Sequence, residues 1–187
     1  MVRIIAGTLK GRRLATPDWP GLRPTSDKLR ETLFNVLGPR VAGARVLDAY
    51  AGTGAVGIEA LSRGASHVTF VDSDHRAAAL IQANLLHCGL KEGYAIIRVD
   101  FAGAAGRLDF TGPAGSPMPF DIIFLDPPYG PDQMRSALAT AAGFAPAETV
   151  VVIEHARRDA PPAEAGNLRL TRTLLSGDSG LAFYRST

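Results

Sequence analysis

Four groups of residues in this 187-residue chain could do chemistry. They are Asp48 ahead of Gly52, Gly54 and Gly57, then Asp72, then Asp100-Phe101, and lastly Asp126-Pro127-Pro128-Tyr129. The first is a Gly-x-Gly-x-x-Gly turn between an apolar run ending at Val46-Leu47 and a helix opening at Val56 and Ile58. Glycines let a backbone turn tightly and approach a ligand, and a helix start offers free N–H groups. Dinucleotide enzymes want a pyrophosphate there, which the Asp48 carboxylate would repel, whereas a cofactor carrying a cationic ammonium group would be attracted. An acid about 20 residues past the first glycine, Asp72, suits ribose hydroxyls. Asp74 is its competitor, and it also suits a helix cap. Asp126 to Tyr129 suits methyl transfer to an exocyclic amine on a planar ring. Such an amine is a poor nucleophile because its lone pair is delocalised, and two acceptors at ~3 Å would hold its N–H groups. Asp126 supplies one acceptor and the Pro127 carbonyl the other, while the prolines stiffen the loop. Tyr129 offers a ring for a base to stack on, worth roughly 1–3 kcal/mol.

All four groups must be held at one edge of a sheet. Strands are predicted at 45–47, 67–71, 94–99, 120–125 and 149–153, each ending at Asp48, Asp72, Asp100, Asp126 or Glu154-His155. Helices are predicted over about 54–63, 75–87 and 131–142, the second with Ala79, Leu80, Ala83 and Leu86 inward. Strands alternating with helices imply a parallel sheet with helices on both faces and ligands at the carboxyl edge. Two last strands, 168–175 and 180–185, close a mostly parallel, seven-stranded α/β sheet of Rossmann-like type. Ahead of it, residues 2–16 read as a β-hairpin with Lys10, Arg12 and Arg13 at its turn. Pro17, Pro20, Gly21 and Pro24 make a stiff connection. Residues 25–37 then form a helix capped by Thr25 or Ser26, with Leu29, Leu33, Val36 and Leu37 on one face and Arg30 elsewhere. Residues 103–119, rich in Gly and Pro, form a connector.

Net charge is +2, yet residues 1–45 carry nine bases against three acids, a local excess of +6 that suits a polyanionic partner. No apolar run approaches the ~20 residues of a membrane span, and the first residues lack a signal-peptide layout, so a cytoplasmic location is expected. Cys88 is the only cysteine, which excludes a disulfide and a thiolate metal cluster. His67, His75, His87 and His155 lack ligand spacing, so no metal is implied. His155 ends a strand near the site, and no auxiliary substrate contact is expected of it.

Together these motifs resemble the class I S-adenosylmethionine-dependent methyltransferases of the Asp-Pro-Pro-Tyr group. More narrowly, the chain resembles the small-subunit ribosomal RNA guanine-N2 methyltransferase D family. The resemblance rests on Arg3-Ile4-Ile5-Ala6-Gly7 with Lys10-Gly11-Arg12, on Gly21 to Asn35, on Asp48 to Gly54 and on Glu59 to Ala65. Asp72 stands where relatives often carry Glu. The resemblance implies that S-adenosylmethionine is the cofactor, held by Asp48, Ala49, Gly52, Gly54, Asp72, Ser73, Asp100, Phe101 and Asp126. It implies a catalytic group of Asp126, Pro127, Pro128 and Tyr129 around the guanine, and RNA phosphates gripped by Lys10, Arg12, Arg13, Arg23 and Arg30. The expected substrate is guanine 966 of 16S ribosomal RNA within a small-subunit particle, and the protein is expected to be a monomer. Residues 1–24 form the hairpin and connector, and 25–187 the methyltransferase domain. An adenine-N6 methyltransferase shares Asp-Pro-Pro-Tyr, but the 21–35 segment and the lack of a separate DNA-recognition domain disfavour it. A nicotinamide oxidoreductase leaves Asp48 and Asp126 without a role, and a pure RNA-binding module needs none of the strand-end acids.

Overall fold

The computed structural model describes residues 2–17, 19, 26–103 and 119–187. The chain divides into two compact units, residues 1–99 and 100–187.

In the first unit, strands β1 (Val2–Arg3) and β2 (Arg13–Leu14) pair antiparallel. The ladder is short, extended by Ile4 N–H to the Arg12 carbonyl (2.9 Å) and Gly11 N–H to the Ile4 carbonyl (2.8 Å). A two-stranded hairpin is not stable alone, and here side chains of the following helices hold it. They are α2 (Ala55–Ser62) and α3 (His75–His87). The Glu59 carboxylate, fully buried, accepts from the N–H groups of Ile5 (2.7 Å) and Ala6 (3.0 Å). Ser62 Oγ accepts from Leu9 N–H (2.9 Å). Asn84 accepts from Ala15 N–H (2.8 Å) and donates to the Ala15 and Thr53 carbonyls. Gly7, at φ +81°, lies against α2 so closely that a Cβ would stand 1.9 Å from the Ser62 carbonyl oxygen.

Helix α1 (Asp27–Leu37) starts at Ser26, whose Oγ accepts from Leu29 N–H (3.2 Å), and buries Leu29, Leu33, Phe34 and Leu37. Arg30 corrects the sequence-based expectation. Placed off the apolar face by its charge, it is fully buried, and its Nη2 donates to the Arg3 carbonyl (2.8 Å) and to Asp27 Oδ1 (2.7 Å). Burial pulls its pKa down, against the pull of Asp27 and Glu59.

Strands β3 (Arg45–Ala49), β4 (His67–Asp72) and β5 (Tyr94–Arg98) run parallel in the order β5-β4-β3, with α2 and α3 as the crossovers. Apolar β3 and β4 are buried almost throughout, as parallel strands covered by helices must be. Helix α3 has the expected bounds but the other face inward. Ala77, Ile81, Asn84 and Leu85 are buried, whereas Ala79, Ala83 and Leu86 are exposed. The polar Asn84 disguised the buried face, because its amide is satisfied by backbone groups of the hairpin and the glycine turn.

The second unit begins with a single 3-10 turn, Phe101–Gly103. Most of the predicted connector, residues 104–118, lies outside the described residues. Strand β6 (Ile122–Leu125) runs parallel to β7 (Val150–Ala156), and α4 (Pro131–Ala142) joins them. Strand β7 continues three residues past Ile153, through Glu154 and His155 to Ala156, so these two buried polar residues are not a strand end. Two-residue β8 (Glu164–Ala165), not expected from its Pro-rich surroundings, pairs with β9 (Leu168–Ser176). Strand β10 (Ser179–Ser186) lies antiparallel between β9 and β7. The fold is thus α/β and Rossmann-like; among the described residues the strands outside the hairpin are β3 to β10, with β8 added to the seven expected.

Candidate active site

In the first unit the backbone leaves β3 through Tyr50, a non-glycine residue in the left-handed region (φ 62°). Such a conformation costs of order 1–3 kcal/mol and persists only where its surroundings impose it. Ala51 N–H donates to the Val71 carbonyl (3.0 Å) and Gly54 N–H to the Ala51 carbonyl (2.7 Å), which fixes the turn between β3 and α2. Gly52 (φ 55°) and Gly54 (φ 75°) supply the left-handed positions. Gly57 has a different task. A Cβ there would stand 2.3 Å from Phe70 Cε1, so it allows α2 to press against β4.

Asp48, 2% exposed, accepts from Gly57 N–H through Oδ2 (2.8 Å). Burial pushes its carboxyl up to about 8, with the Gly57 bond pulling down and the nearby Asp72 charge pushing further up. A carboxyl so placed is stabilised in its ionised form by any cation brought beside it. Ala49 next to it is fully buried. Asp72, half-buried at the end of β4, accepts from Gly52 N–H through Oδ2 (2.9 Å) and from Asp74 N–H through Oδ1 (2.9 Å). It is therefore fixed to the glycine turn. The competitor Asp74 is the cap of α3 and is engaged by Arg76, both through its backbone N–H (2.8 Å) and through its guanidinium (2.6 Å). These hydrogen bonds hold its carboxyl down to about 2. Ser73 is exposed between them.

In the second unit Asp100 is exposed, and Phe101, 1% exposed, packs with its ring 6.1 Å from that of Phe144. Asp126 follows β6 directly and is half-buried; Pro127 is buried and Pro128 exposed. Tyr129 is 44% exposed, yet its hydroxyl is held. It donates to Glu154 Oε1 (3.1 Å) and lies 2.7 Å from Ser179 Oγ. Burial raises the Tyr129 pKa, the Ser179 bond opposes that, and the Glu154 and Asp126 carboxylates reinforce it. Sequence reasoning missed both partners. The signal for Glu154 was an acid directly following the apolar run Val150 to Ile153. Ser179 carried no signal, since a serine in a hairpin is ordinary. His155 is 3% exposed, with Nδ1 2.9 Å from the Ala156 carbonyl.

Of the basic residues, Lys10, Arg12 and Arg13 are exposed around the hairpin turn. Arg12 also donates to the His87 carbonyl at the end of α3 (3.1 Å), a favourable place for a cation. Arg30, fully buried, presents no surface to a phosphate. Arg23 lies outside the described residues.

The same chain has recognisable relatives. The family described as conserved hypothetical protein 95 matches residues 2–185. YlbH of Bacillus subtilis is 37% identical over 191 residues, covering 98% of each chain. Ribosomal RNA small subunit methyltransferase D of Escherichia coli is 36% identical over 186 residues, 98% of this chain and 89% of its own. The solved structure of yhhF from Escherichia coli superposes with a TM-score of 0.83 at 30% identity, covering 99% of this chain and 97% of that one. The chain belongs to the family described as conserved hypothetical protein 95, the small-subunit ribosomal RNA methyltransferase D family.

Proposed function

We propose that this protein is an S-adenosylmethionine-dependent methyltransferase of small-subunit ribosomal RNA, acting on the exocyclic N2 amine of a guanine, with guanine 966 of 16S RNA as the expected target. Asp48 carries the reading. A carboxyl 2% exposed, beside a glycine turn and a helix start, gains its ionised form when a cation is brought beside it, which suits a cationic cofactor. The residues present fit S-adenosylmethionine on those grounds, and the cofactor supplies a methyl group already activated on a sulfonium.

The protein's own residues bind and orient. In the first unit Asp48, Ala49, Gly52 and Gly54 take the methionine end, and Asp72, with Ser73 beside it, takes the ribose hydroxyls. In the second, Asp100 takes the adenine amine and Phe101 its backbone edge. Asp126 and the Pro127 carbonyl accept the two N–H bonds of the guanine amine and draw its nitrogen toward a tetrahedral lone pair. Pro128 stiffens that loop, and the Tyr129 ring carries the base by stacking. Alignment of nucleophile and methyl group then supplies most of the rate. Lys10, Arg12 and Arg13 neutralise RNA phosphates. Residues 1–24 thus serve as an RNA-gripping extension to a catalytic domain at 25–187, acting in the cytoplasm as a monomer on a small-subunit particle.

The test is incubation of unmodified small-subunit RNA, naked and in particles, with the protein and labelled cofactor, followed by nucleoside analysis. N2-methylguanine is the expected product. N6-methyladenine would move the substrate assignment to the alternative reading, and no labelled nucleoside from either substrate would overturn it.

A further inference from the structure

We propose that Glu154 and Ser179 are positioning residues that orient the Tyr129 ring for the target base, a role that rests on the reading of Tyr129 as the base-stacking platform. The argument starts from register. Strands β7 and β10 are antiparallel neighbours in which Leu181 stands opposite Glu154 and Ser179 opposite Ala156. Side chains alternate between faces with a period of two. Glu154 and Ser179 therefore share one face as diagonal neighbours, close enough for their side chains to meet a common partner. That partner is the Tyr129 hydroxyl, 3.1 Å from Glu154 Oε1 and 2.7 Å from Ser179 Oγ.

Proton counting sets the direction of the network. An ionised carboxylate only accepts, and a phenol has one proton to give. Tyr129 therefore donates to Glu154, and Ser179 donates to the Tyr129 oxygen. Hydrogen bonds in such a chain polarise and strengthen one another. The far end of the ring is thus held by two strands, while its near end leaves a loop stiffened by Pro127 and Pro128. A tyrosine side chain has two torsions, and fixing both ends leaves neither free.

The arrangement is not explained by packing. Tyr129, whose ring is held, is 44% exposed, while Glu154, which holds it, is only 6% exposed. Removing a carboxylate from water costs free energy, and a surface aromatic needs no such anchor to stay folded. A phenylalanine could stack as well as a tyrosine. The hydroxyl therefore serves the pose of the ring, and a fixed pose lowers the ordering cost when a base arrives.

The test is a mutant cycle read in two ways. Steady-state methylation of small-subunit RNA is measured for wild type, Glu154→Ala, Glu154→Gln, Tyr129→Phe and the double variant Glu154→Ala/Tyr129→Phe. S-adenosylmethionine affinity is followed by calorimetry. Loss of Glu154 should reduce kcat/KM for RNA roughly tenfold with cofactor affinity unchanged, the scale of one charge-assisted hydrogen bond. Glu154→Gln keeps an acceptor oxygen and should recover most of the loss. In the double variant the two losses should not multiply, because Glu154 acts through a hydroxyl that is already absent. Multiplying losses, or a Gln variant as impaired as the Ala variant, would overturn the proposal. The second reading needs no methyl transfer. In protein carrying 13C-labelled tyrosine, Glu154→Gln should lower the pH at which the Tyr129 phenol titrates, and an unchanged titration would overturn the clamp. A titration that moves, in a wild-type protein that methylates no RNA, would uphold the contact and reject the stacking role built on it.

Discussion

At the scale of single residues, Asp48, which is buried, and Asp126, which is half-buried, have separable signatures. Asp48 is held in the folded protein with a carboxyl at about 8, against an ordinary 3.8 when unfolded. Between those values the folded chain keeps a proton that the unfolded chain has released, so stability falls as pH rises through that window. The stabilising contribution is complete below about 4 and lost once pH passes about 8. Asp48→Asn removes this dependence. Thermal unfolding of the ligand-free variant should therefore gain on wild type as pH is raised from 5 to 8, whereas S-adenosylmethionine affinity should drop by roughly 1–3 kcal/mol. A melting difference independent of pH would contradict the burial argument. Asp126 is assigned to the target amine. Asp126→Ala should abolish turnover and leave cofactor affinity within a few-fold, because the proposed site commits its carboxylate chiefly to the target amine and leaves the other cofactor-holding residues in place. Single-turnover methylation at the wild-type rate would remove that role. Both acids were legible in the sequence as carboxylates closing apolar strands. Arg30 was not, because a charge on a helix is read as a surface residue; its bonds to the Arg3 carbonyl and Asp27, with the Glu59 charge, show what accommodates it inside.

At the scale of elements, the glycine turn divides its labour in a way that mutation can resolve. Gly52 and Gly54 serve backbone conformation, whereas Gly57 serves contact, with Phe70 Cε1 at 2.3 Å, Phe70 Cζ at 2.7 Å and Val68 Cγ1 at 2.8 Å from an added Cβ. Gly57→Ala must push α2 off β4 and should destabilise by about 1–3 kcal/mol in denaturant unfolding. A neutral result would mean that the helix–strand contact is not tight. The hairpin makes a different prediction. Glu59, Ser62 and Asn84 lock its backbone to α2 and α3, so Lys10, Arg12 and Arg13 project from a fixed support. If they neutralise phosphates, each contact removed should reduce the slope of log affinity against log salt by roughly 0.7–0.9. Changing all three to Ala should flatten the salt dependence of RNA binding, with Arg12 contributing less because it also serves the end of α3. Equal slopes for wild type and variant would make the hairpin a structural extension. Element types and most bounds were readable from periodicity, as α3 at His75–His87 and α4 at Pro131–Ala142 illustrate. The inward face of α3 was not, because alanines weigh almost equally on either side and the buried Asn84 reads as polar surface.

At the scale of the whole molecule, the α/β class followed from strands alternating with helices, and the four groups of candidate residues do close strands or follow them. Much of what eluded sequence reasoning shares one cause. Glu59, Asn84, Glu154 and Ser179 are polar residues each bonded to a group 25 to 69 positions away in the chain, Glu59 also to Arg63 four residues on. Local pattern carries no trace of such pairings, and β8 is too short to show a period at all. Among the described residues no helix is long and apolar enough to cross a membrane. The central claim is that these parts methylate one guanine amine in small-subunit RNA. Mass-mapping of that RNA from cells with and without the protein, and from cells carrying Asp126→Ala, tests it most directly. The account predicts one N2-methylguanine that disappears on deletion and is not restored by Asp126→Ala. An unchanged methylation map on deletion, or full restoration by Asp126→Ala, would contradict it.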